Sequence, residues 1–128
     1  GLEAAVEELA VEIEKLFGLA CDLSFHGKMD FLDNNVASHL YYIIREASFN
    51  AARHGEPESI SITVHTEFNN LMVKIMDDGN GFNVLFTKKG MGLHTMEYRA
   101  KAIGAVLSLQ SDPQIGTVVS VTRESKKP

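Results

Sequence analysis

Cys21 is the single cysteine in 128 residues, so the chain can form no internal disulfide and has no thiolate cluster for zinc or an iron–sulfur centre. A reducing cytoplasmic location fits that scarcity. Long apolar runs are missing as well. None approaches the roughly 18 residues needed to cross a bilayer, and no signal peptide is visible. A basic excess is also absent: the net charge is −5. That argues against direct binding to nucleic acid, whose partners present basic patches, and the short tail of Arg123, Lys126 and Lys127 is too slight to reverse it. The five histidines, His26, His39, His54, His65 and His94, show neither His-x-x-x-His nor His-Glu-x-x-His spacing. A metal centre built on histidine is therefore not expected. No repeat, low-complexity stretch or Pro/Ser-rich linker divides the chain.

What remains suits one domain with a sizeable core, since 45% of the residues are hydrophobic. The start at Gly1 rather than Met points to a piece of a longer protein, and the missing part could carry a membrane anchor. Leu2, Val6, Leu9, Ile13 and Leu16 alternate steps of four and three and stop at Gly18. Such a seam serves either an amphipathic helix docked on the domain or the tail of a dimerising helix entering from upstream.

Cys21, Leu23 and Phe25 alternate as in a short strand. A long helix is expected from Asn35 to His54, with Asp33 or Asn34 as N-cap and Gly55 as its stop. Its apolar stripe is Val36, Leu40, Ile43, Ala47 and Ala51, and Glu46, Asn50 and Arg53 at i, i+4 and i+7 are expected on the opposite side. Two strands follow, around Ile60–Val64 and Leu71–Ile75, with Asn69-Asn70 as the hairpin turn. Leu93, Met96, Ala100 and Ile103 mark a second helix ending at Gly104. A closing hairpin pairs Val106–Ser111 with Thr117–Thr122. Hairpins with two long helices imply an α+β fold, a two-layer sandwich with a mixed, mostly antiparallel sheet covered on one face by helices.

Three segments carry chemistry. A carboxylate, an amide and a cation along one helix at Glu46, Asn50 and Arg53 make a coherent nucleotide-handling set, although a plain solvated polar face has the same composition. Asp77 ends a buried strand, where a carboxylate needs a donor such as the exocyclic amine of adenine. Gly79 and Gly81 would let the backbone approach a flat ligand, and an ordinary Asp-Gly turn is the simpler alternative. Gly90 and Gly92 open the second helix, where unpaired N–H groups and the helix dipole favour an anion. Lys88 and Lys89 lie just before it, within reach of phosphates or of solvent. Thr95 excludes the dinucleotide fingerprint, and no P-loop is present.

In their order and spacing these segments resemble the Bergerat-type ATPase fold, and most of all the catalytic and ATP-binding domain of sensor histidine kinases, in the nitrate-sensor-like subgroup. Arg45 to His54 resembles the N box, Asp77 to Phe82 the G1 box and Gly90 to Leu93 the G2 box. The resemblance implies ATP and Mg²⁺ as cofactors, with Glu46 positioning the attacking group, Asn50 on magnesium, and Arg53, His54 and Lys88 facing phosphates. Asp77 would read the adenine amine, Gly79 and Gly81 would shape its pocket, Gly90, Gly92 and Leu93 would flank a lid, and Thr117 would support the adenine site. A mobile lid is expected at Asn83–Lys89. No distinct F box is present, and Met91 stands where a polar residue is frequent.

The domain plan implied is the end of a linker or dimerisation helix at 1–18 and the kinase-like ATPase domain at 19–128. No histidine here has the His-Glu or His-Asp helical context of a phosphoacceptor, and His39 reads as structural. The acceptor would sit on a dimerisation domain of the same protein, in a homodimer whose partner is a response regulator with a helix-turn-helix output. The alternatives are an anti-sigma-factor-type serine kinase and an interaction module that binds nucleotide without transferring phosphate.

Overall fold

Strict alternation of apolar and polar residues builds the sheet, and 3.6-residue periodicity builds the layer that covers it. The structure, a computed structural model, describes residues 1–80 and 92–125. Helix α1 (Leu2–Phe17) is followed by strand β1 (Ala20–His26), helix α2 (Asn34–Asn50) and a π-helical turn at Ala51–Gly55. The hairpin of β2 (Ser59–Glu67) and β3 (Asn70–Asp77), helix α3 (Leu93–Ala102) and the hairpin of β4 (Val106–Asp112) and β5 (Gly116–Arg123) complete the chain. The order across the sheet is β1-β2-β3-β5-β4. Among the described residues only the β1–β2 pairing is parallel, and α2 makes the crossover between the two strands. The α+β sandwich expected from the sequence is the one observed.

Register aligns the inward residues into rows. Leu23, Ile62, Ile75, Val119 and Leu109 are successive partners across all five strands, and the next row is Phe25, Val64, Val73, Val121 and Leu107. The opposite face carries Ser24, Thr63, Lys74, Ser120 and Ser108 in register and leaves Met76 and Val106 exposed, so the helices cover the other face. Leu40, Ile43 and Ile44 of α2 and Met96 and Ala100 of α3 cover it, all fully buried. Each such large aliphatic side chain contributes about 1.5–3 kcal/mol.

Helix α1 spends its seam on the same core. Leu2, Val6, Leu9 and Ile13 are buried with α2 and β1, while Leu16, the last of the series, is 63% exposed. Gly18 at φ +65 ends the helix by donating its N–H to Glu14 O at 2.9 Å, and Glu14 Oε2 accepts from Cys21 N at 3.0 Å, tying the helix end to β1.

Of the two N-cap candidates it is Asp33 that caps α2: its Oδ1 accepts from Val36 N at 2.8 Å. Two local expectations differ from the structure. The first hairpin turns at Phe68-Asn69, both at positive φ (53° and 64°), as a two-residue primed turn requires, and Asn70 is already in β3. Gly55 does not stop the long helix. The last turn widens to i→i+5 over Ala51–Gly55, and Glu56 takes the left-handed position at φ 47° just before Pro57.

Candidate functional site

Alternation along β3 sends Asp77 inward, because Val73 and Ile75 point inward before it. The carboxylate is half-buried at the strand end. Burial pushes its pKa above the ordinary value; hydrogen bonds from the Gly79 and Thr117 backbones oppose that, and the neighbouring charge of Asp78 adds to the rise. Gly79 N–H donates to Asp77 Oδ1 at 2.8 Å. Glycine surrounds this group. A Cβ at Gly55, Gly79 or Gly116 would stand 3.4, 3.0 or 3.2 Å from Oδ1, and at Gly116, whose φ is +121, it would overlap the Asp77 carbonyl oxygen. Small neighbours leave the acid reachable by a flat molecule.

Asp77 faces a narrow cleft between the sheet and helices α2 and α3. Its walls are apolar (Ala47, Ile75, Met96 and Val119), and its polar groups are Asp77, Asn50 and Thr117. Thr117 Oγ1 lies 3.0 Å from Ser111 Oγ, which orients its hydroxyl. An apolar slot with a few convergent polar groups is the form expected of a small-molecule site.

Helix α2 supplies the second half of the site. Asn50 is buried and lines the same cavity as Ala47 and Ala51, so it does not stand opposite the apolar stripe. The helical period explains the correction: Asn50 follows Ile43 by seven residues and returns to nearly the same face. Asn50 Oδ1 accepts from Arg53 Nη2 at 3.3 Å, and the Arg53 guanidinium also lies 5.6 Å from the Phe49 ring centroid. Glu46, half-buried one turn earlier, meets Gly92, the residue that opens α3 at φ +68. Leu93 follows it, buried against the core, while His54 is exposed on the π-helical turn.

The structure therefore brings together Glu46, Asn50, Arg53, Asp77, Gly79, Gly92, Leu93 and Thr117, with His54 at the margin. Gly81, Lys88 and Gly90, and the expected lid at Asn83–Lys89, lie outside the described residues. Three contributors escaped the sequence reading. Gly55, expected as a helix stop, lines the Asp77 corner instead, and Met96, expected only as core, forms a cavity wall. Asp78 holds the loop onto β2, and its position directly after Asp77 was the one signal that could have marked it.

The arrangement fits a magnesium nucleotide. Among the described residues no cluster of three or more His, Cys, Asp or Glu could hold a metal alone. A single amide oxygen at Asn50 suits Mg²⁺, which takes most of its ligands from phosphate and water. The apolar slot suits a base, and the Asp77 carboxylate has about four acceptor positions, of which two are used by backbone N–H groups.

The family model of the histidine kinase-, DNA gyrase B- and HSP90-like ATPases matches residues 35–126. The chain belongs to this family. The oxygen sensor histidine kinase NreB of Staphylococcus carnosus is 26% identical over 123 residues, which are 94% of this chain and 35% of that protein. Among solved structures, the histidine kinase domain of the Erythrobacter litoralis blue-light activated histidine kinase superposes with a TM-score of 0.75 at 20% identity, covering 95% of this chain and 60% of that one. The Acinetobacter baumannii histidine kinase AdeS gives a TM-score of 0.75 at 14% identity, over 98% of this chain and 65% of that one. The chain thus spans about a third of the curated relative it matches and just under two thirds of those structures. Within the ATPase family its likeness is to histidine kinases. No helix among the described residues is long and apolar enough to cross a membrane.

Proposed function

We propose that the chain is the ATP-binding catalytic domain of a two-component sensor histidine kinase, which passes the γ-phosphoryl group to a histidine on a dimerisation domain of the same protein. The observation that carries this reading is the Asp77 carboxylate, turned into an apolar slot that Asn50 also lines, with Glu46 one turn earlier on the same helix against Gly92. When bound, Mg²⁺–ATP supplies the phosphoryl group. Asp77 accepts a hydrogen bond from the adenine amine, Gly79 and Gly116 keep its approach clear, and Thr117 supports the same edge. Asn50 would offer its amide oxygen to magnesium, and Arg53, which donates to that oxygen here, would face phosphate with His54 nearby; Gly81, Lys88 and Gly90 belong to the same proposal. Glu46, braced by Gly92, orients the attacking imidazole. Positioning and charge compensation are what phosphoryl transfer chiefly requires.

A response regulator with a helix-turn-helix output is the proposed recipient, and the full-length protein is proposed as a homodimer. In this scheme residues 1–18 are the end of the linker or dimerisation helix and 19–128 the ATPase domain. The test has two arms. Calorimetry should show Mg²⁺–ATP bound by the chain alone, without self-phosphorylation on histidine, and a dimerisation domain supplied in cis or in trans should restore acid-labile phosphate. Acid-stable phosphate on serine in a protein partner would replace this reading with the serine-kinase one.

A further inference from the structure

We infer that Asp78 is a positioning residue for nucleotide recognition: it pins the loop that follows Asp77 to the start of β2 and so fixes where the Asp77 carboxylate stands. The inference rests on the proposed nucleotide site and adds to it a residue that never touches the ligand.

Asp78 is exposed and turned away from the cavity, yet it is the most heavily bonded carboxylate among the described residues. Its Oδ1 accepts from Glu58 N at 2.9 Å and Ser59 N at 3.1 Å, and its Oδ2 accepts from Ser59 Oγ at 3.0 Å. These bonds favour the charged form and hold its pKa below the ordinary value. The partners are on the far side of the sequence but next door in space: Ile60 pairs with Asp77 in the β2–β3 ladder, so Glu58 and Ser59 lie where the ladder runs out. A long backbone bond, Asp78 N–H to Ser59 O at 3.4 Å, also joins the two here, and the Asp78 side chain adds three shorter ones.

The following residues are tied down in turn. Gly79 N–H goes to Asp77 Oδ1 at 2.8 Å, and Asn80 N–H goes to Gly55 O at 2.7 Å. Asp78, Gly79 and Asn80 thus fasten one short loop to β2, to Asp77 itself and to the end of the long helix. The Gly79 tie uses the Asp77 carboxylate itself and the Asn80 tie is backbone to backbone, so only that of Asp78 can be removed by a substitution outside the site. An acceptor placed to within half an ångström discriminates between bases; one that drifts does not.

The experiment compares the intact chain with Asp78→Ala and Asp78→Asn. Asparagine keeps an oxygen for the two backbone donors and can offer its amide hydrogen to Ser59 Oγ, so it should rescue what alanine loses. Binding of a non-hydrolysable ATP analogue and of its GTP counterpart is measured by calorimetry, with thermal unfolding as the check on folding. The expected result is an affinity for the ATP analogue about tenfold lower in Asp78→Ala, a smaller preference for ATP over GTP, and both returned to near the parent value in Asp78→Asn. A parent that binds ATP while a folded Asp78→Ala keeps its affinity and its ATP preference overturns the inference alone. So does a variant that loses thermal stability but not base preference. A parent that binds no nucleotide overturns the inference together with the proposed site.

Discussion

Gly92 lies directly against Glu46: a methyl group on its α-carbon would overlap the glutamate Oε1. The contact joins the start of α3 to the middle of α2, and it places the carboxylate proposed to orient the attacking group against bare backbone. Gly92 also has φ +68, where a side chain costs about 1–2 kcal/mol. Gly92→Ala should therefore combine a lower unfolding midpoint with a displaced Glu46. In a reconstituted kinase, phosphotransfer should fall well beyond any loss of ATP affinity, which single-turnover kinetics beside calorimetry would resolve.

Glu46→Gln tests the same carboxylate without disturbing the glycine. Shape and volume are kept and only the charge is lost, so ATP binding should change little while the transfer rate drops by at least about tenfold. Acid-labile phosphate on the acceptor domain is the readout. Transfer at the parent rate would remove Glu46 from the chemistry.

Asp77→Asn should weaken ATP binding by roughly 5- to 150-fold, about 1–3 kcal/mol, because an amide offers a donor where the ligand also donates. The same change should not destabilise the empty protein at neutral pH. Burial raises the Asp77 pKa above its ordinary 3.8, so folding favours the protonated form. Ionised Asp77 therefore costs stability at every pH above the raised folded value, and the cost fades as pH falls through that value toward 3.8. Urea unfolding across the acid range should show the parent losing ground to Asp77→Asn as pH rises through this window.

Phe68 has a conformation that its side chain does not suit. It is 83% exposed at φ 53°, the first of two left-handed residues in the β2–β3 turn. Phe68→Asn should stabilise the fold by about 0.5–1 kcal/mol, since asparagine tolerates that region and no packing is lost. A lower urea midpoint for the variant would contradict the turn geometry.

Ile13 on α1 is fully buried with the domain core. Ile13→Ala should cost about 2–5 kcal/mol, as for a core position elsewhere, and its unfolding should remain a single transition. A second, earlier transition would show α1 melting as a separate unit.

How much of this was legible in the sequence depended on how local the cause was. The strands around Ile62, Val73 and Val119 and the helix of Met96 and Ala100 follow from short-range periodicity, and both hairpins follow from the brevity of their turns. The parallel pairing of β1 with β2 left no local mark, because a long crossover separates partners such as Leu23 and Ile62. The seam of α1 fits a partner helix as well as α2, so its burial against this domain had to be seen. At the site, Asp77 stood out as an acid ending an apolar strand. Gly55 did not, because a glycine after a helix already has a sufficient explanation, and its contact with the Asp77 corner arises only from the folded arrangement.

The π-helical turn at Ala51–Gly55 bears on how this chain should be aligned with others. An i→i+5 turn takes up about one residue more than an α turn. Arg53 and His54 consequently emerge about one position out of phase with Glu46 and Asn50. Against a relative whose helix runs straight through, an ungapped alignment would match Glu46 and Asn50 correctly and then pair Arg53 and His54 with residues that point elsewhere. Equivalence beyond Asn50 is better assigned by superposition, and a single-residue deletion within 51–55 would convert one geometry into the other.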